Sequence, residues 1–89
     1  MSACEMQTFN NVTLAAWQSA KQAAMTRFGI QITADVGTAS ADGFIVYWSY
    51  DAPTETLSIQ CLDSPIFISC LAINSEIYQM VERTLNSTT

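Results

Sequence analysis

Eighty-nine residues carry 49% hydrophobic and only 12% charged side chains, with a net charge of −5 at pH 7. Such a chain is one domain (residues 1–89), too apolar for disorder, and short of the surface charge that a lone monomer usually carries. No Lys or Arg lies between Phe28 and Glu82, which denies the chain the clustered cations that nucleic-acid binding needs.

Met1–Thr8 has no hydrophobic period and reads as a loose N-terminal arm. A helix is expected from Asn10 or Asn11, either Asn serving as N-cap. Leu14, Trp17, Ala20, Ala24, Met25 and Phe28 recur at three- and four-residue steps on its apolar side. Gly29 is placed to end it. Ile30 to Ala34 alternates as a half-buried strand does, with Val36 in phase, and a small, polar loop is expected over 37–43.

Phe44 to Tyr50 is the densest β-branched and aromatic run, with Asp42-Gly43 before it and Asp51-Ala52-Pro53 after it. Phe44, Val46, Trp48 and Tyr50 share one side, and Ile45, Tyr47 and Ser49 the other. Both sides read as apolar enough to need cover. Pro53 favours a short hairpin, and Thr56 to Leu62 returns as a one-sided strand with Leu57, Ile59 and Cys61 on its apolar face. Residues 66–72 are ambiguous between strand, helix and irregular chain. Ser75–Leu85 is expected as the second helix, with Asn74 as its cap, and 86–89 as a frayed end.

The expectation is an α+β domain in the order α-β-β-β-α: a three-stranded antiparallel meander with two helices on one face. Double-stranded-RNA-binding domains share that order. The similarity stops at topology, because their basic loop and basic helix start have no counterpart here.

The sequence lacks histidine, which removes imidazole acid–base catalysis, Ser-His and Cys-His pairs and His-containing zinc sites. The spacing of Cys4, Cys61 and Cys70 makes no metal knuckle. No secretory signal is evident at the start, so the thiols are expected to be reduced in a cytoplasmic protein, with Cys61 and Cys70 packed as small hydrophobes. No apolar run is long enough to span a membrane. The carboxylates Asp35, Asp42, Asp51 and Glu55 form an acidic loop surface. Asp51 and Glu55 flank one turn, and Asp35 and Asp42 flank the other loop, which lacks EF-hand spacing for calcium. No cofactor, metal or catalytic constellation is expected.

The leading functional expectation is a non-catalytic interaction domain, a homodimer joined through the apolar sheet face of Phe44, Val46, Trp48 and Tyr50. Two alternatives stand beside it. The same aromatic face could hold an apolar ligand or serve a small enzyme, or the acidic surface could inhibit a basic, nucleic-acid-binding protein.

Overall fold

The computed structural model describes residues 3–88, their side chains through residue 85. Along the chain lie β1 (Gln7–Phe9), α1 (Leu14–Phe28), β2 (Val36–Ala41), β3 (Phe44–Asp51), β4 (Thr56–Asp63) and α2 (Cys70–Thr88). The α+β class holds, but the antiparallel sheet has four strands, in the order β1-β4-β3-β2. The extra strand comes from the segment read as a loose arm. Phe9 pairs with Leu57 and Gln7 with Ile59, and upstream the Cys4 amide donates to the Cys61 carbonyl at 2.9 Å.

Asp42 and Gly43 set the register of the central hairpin. Both have positive φ (52° and 86°), the two-residue turn geometry that matches strand twist and that Asp-Gly favours. Such a turn demands pairing immediately on both sides. Ala41 therefore faces Phe44, Ala39 faces Val46 and Gly37 faces Trp48, so 37–41 is strand and not the expected loop. Small residues suit this strand: a Cβ on Gly37 would stand 3.2 Å from the Trp48 ring.

The alternating residues 30–34 form no strand. They form a strap that the sheet holds at its end: Trp48 Nε1 donates to the Ala34 carbonyl at 2.9 Å, and the Tyr50 amide to that of the next residue, Asp35, at 2.8 Å.

Thr13, not an Asn, caps α1, accepting from the Ala16 amide at 3.2 Å. Asn11, at φ 62°, turns the chain into that cap. Gly29 closes the helix in the left-handed conformation, donating to the Met25 carbonyl. The buried face is Ala16, Trp17, Ala20 and Ala24, whereas Leu14 and Met25 are exposed.

α2 starts at Cys70, five residues before the expected Ser75, because Ser69 caps it by accepting from the Ala72 amide. Asn74 sits inside the helix and donates to the Glu5 carbonyl, tying α2 to the chain before β1. Its backbone is helical through Thr88. The expectation of a frayed end over 86–89 falls beyond the described side chains, and Thr89 lies outside the described residues.

Cys4 and Cys70 form a disulfide, with Cα atoms 5.3 Å apart and a sequence separation of 66. This corrects the reading of three reduced thiols. The pattern gave no sign of it because only the pairing of the N-terminal segment with β4 brings Cys4 to the start of α2. Cys61 alone stays free, and it is buried. Among the described residues no helix is long and apolar enough to cross a membrane.

Candidate ligand cavity

Alternation along the sheet decides which side chains meet the helices. Trp48 and Tyr50 from β3 and Leu57, Ile59 and Cys61 from β4 all point inward and are buried. Phe44 and Val46 are partly buried against the same core. The side proposed as an outward contact surface is thus the side that the helices cover. Each polar tip has an internal partner. The Tyr50 hydroxyl donates to the Val12 carbonyl at 2.7 Å, and the Tyr50 ring stacks on Trp17 with centroids 5.1 Å apart. Trp17 Nε1 in turn donates to Asp35 Oδ1 at 2.9 Å. Burial, then the nearby carboxylates of Glu55, Asp35 and Asp51, push the Tyr50 phenol above its ordinary value.

The opposite face is less apolar than the central strand suggested. Around Ile45 and Tyr47 it carries Thr38, Ser40, Ser49, Ser58 and Gln60. These residues are exposed or half-buried, as on an antiparallel sheet with one wet side.

The inner side is not filled. Between the helices and the sheet lies a cavity of about 580 Å³, partly open to solvent. Trp17, Ala20 and Ala24 of α1 form one wall, Ile73, Ile77 and Met80 of α2 a second, and Val46, Trp48, Ile59 and Cys61 of the sheet the floor. Small residues create the space: three alanines and Trp17 make up the buried face of α1. The strap adds Ile30 and Ile32, and the segment before α2 adds Ile68. Beside Ile68 stand Ile66, Phe67 and Leu71, each 84–88% exposed.

Among the described residues, the charged groups bordering the cavity are Arg27, Asp42 and Glu76. Arg27 and Glu76 form an ion pair at 2.9 Å that bridges the two helices. Exposed pairs of this kind add little stability; the pair marks where α1 and α2 approach each other beside the cavity. Inside, the Cys61 thiol donates to the Asp63 carbonyl, and burial pushes its pKa up. A thiol so placed is a poor nucleophile.

The acidic surface divides. Asp35, Asp51 and Glu55 gather around Tyr50, whereas Asp42 lies at the far end of β2. Six strand residues separate Asp35 from Asp42, about 20 Å of extended chain, so these two cannot act as a pair. Asp51 accepts from the Thr54 hydroxyl across its turn and is exposed. Among the described residues no group of three His, Cys, Asp or Glu side chains is placed to hold a metal ion.

The cavity was legible only as an alternative use of the aromatic face. The alanines of α1 were the signal for it, because a helix whose buried face is that small cannot fill the space above a sheet. Compared with protein-family models, curated proteins and solved structures, the chain shows no significant match to any of them.

Proposed function

We propose that this domain binds a small, predominantly apolar molecule between its helices and its sheet, without catalysing a reaction on it. The observation that carries the reading is the cavity. Its volume of about 580 Å³ falls within the ~300–1,000 Å³ of small-molecule sites, and its walls are aliphatic and aromatic. Interiors normally pack to crystal-like density. A domain of this size that leaves such a space open forfeits contacts that an apolar occupant would restore.

Among the described residues lining the cavity, none pairs a nucleophile with a base: Cys61 is held neutral against a carbonyl, and the Trp48 indole N–H is already bonded. That supports binding over catalysis. The cytoplasmic location inferred from reduced cysteines loses its premise, since a Cys4–Cys70 bond favours an oxidising compartment.

Trp17 and Trp48 both line the cavity, so intrinsic fluorescence reports occupancy. Titration with an n-alkyl alcohol and fatty-acid series should give a saturable one-to-one change together with a raised Tm. A flat response and an unchanged Tm across the series would refute the reading.

A further inference from the structure

The two edges of the sheet differ. β1 is three residues long, whereas β2 offers six and pairs, among the described residues, with β3 alone. Tyr50 donates to the Asp35 carbonyl. By antiparallel alternation, residues 37, 39 and 41 then bond to β3 while Val36, Thr38 and Ser40 aim their N–H and C=O groups away from it. Exposed edges are normally blunted by Lys, Pro, a bulge or an inward charge. Val-Gly-Thr-Ala-Ser-Ala has no Lys, Pro or charge, and its six pairs with β3 run without a register shift.

We propose that β2 is the site of self-association, pairing antiparallel with β2 of a second copy to make one continuous eight-stranded sheet. The outward-bonding residues fix the register. Thr38 faces Thr38 across the two-fold axis, and Val36 of each copy faces Ser40 of the other. A two-fold axis suits this edge because a strand with open groups at alternate residues is its own complement, and a Thr–Thr cross-strand pair is favourable. The contact is an edge and not a face, so the association is weak and concentration-dependent. The register also brings Asp35 of one copy beside Asp42 of the other. Added salt therefore strengthens the dimer by screening that repulsion.

The test is sedimentation equilibrium of the whole chain from micromolar to millimolar concentration, with hydrogen exchange followed in parallel. The mass should rise towards twice that of the monomer. The amides of Val36, Thr38 and Ser40 should become protected with it, while those of Gly37, Ala39 and Ala41 are protected throughout. Thr38→Pro removes an N–H that β3 does not use, which an edge strand tolerates. It should weaken association at least about tenfold, through loss of the central pair of bonds, and leave the near-ultraviolet dichroism unchanged. A monomer at every concentration would overturn the proposal, as would a dimer whose Val36, Thr38 and Ser40 amides exchange as fast as in the monomer. Should Thr38→Pro fail to fold, the exchange pattern of the wild-type chain decides.

Discussion

Cutting the bond between Cys4 and Cys70 should cost this domain a large share of its stability. The bond closes a loop spanning 66 residues of sequence. A cross-link of that span removes enough freedom from the unfolded chain to contribute about 4 kcal/mol at 25 °C in the chain-entropy treatment. Small domains have only about 5–15 kcal/mol in total. With an unfolding entropy of about 2.1 cal/mol/K per residue, the loss lowers the Tm by about 20 °C. The assay compares the oxidised protein with the double variant Cys4→Ser, Cys70→Ser by calorimetry and urea titration. Thiols are counted in denaturant as a control. One free thiol per chain, from Cys61, certifies the oxidised sample. If that count is one and the variant still melts within a few degrees of the wild type, the reasoning fails.

Ala24→Leu should fill part of the cavity. Three added carbons buried at ~0.8 kcal/mol each give a gain of about 2 kcal/mol, seen as a higher urea midpoint, together with weaker binding of the alkyl series. Gly43→Ala places a side chain at φ 86° and 3.3 Å from Pro65. It should cost about 1–2 kcal/mol, read as a lower Tm with the fold retained. Burial raises both Tyr50 above 10.0 and Cys61 above 9.0. The folded state therefore holds these protons more tightly than the unfolded chain. That contribution is intact at neutral pH and is lost as pH climbs above about 9 and then 10 towards the raised folded values. Tyr50→Phe should flatten the Tyr50 part of the alkaline decline and lose about 1 kcal/mol at neutral pH with the bond to Val12, as urea titrations at a series of pH values would show.

Local signals carried the β3–β4 hairpin, the helix stop at Gly29 and which residues share a side along β3 and along β4, because alternation and turn chemistry are written into neighbouring residues. What the sequence did not disclose was decided by distant partners. Gln7–Phe9 has no strand-like pattern of its own and pairs because β4 presents an open edge. Ile30 and Ile32 alternate as a strand would, yet they serve as one wall of the cavity. The Asp42-Gly43 turn did imply strand on both sides, but a run of Gly, Ala, Ser and Thr before it looked like loop, since its fitness for the sheet depends on the bulk of Trp48 opposite. Trp48 and Tyr50 were placed outward for their polar tips. Those tips instead reach Ala34 and Val12, which composition alone could not reveal. The cavity itself is a deficit of volume, and deficits appear only once the elements are stacked.

The placement of β1 bears on how the molecule comes into being. Phe9 leaves the ribosome 48 positions ahead of its partner Leu57 (57 − 9), and Cys4 waits longer still for Cys70. Synthesis therefore leaves Gln7–Phe9 without a pairing edge until β4 has emerged. Long-range closure of this kind is slow relative to local pairing, so the N-terminal segment is expected to dock after the β2–β3 and β3–β4 hairpins have formed.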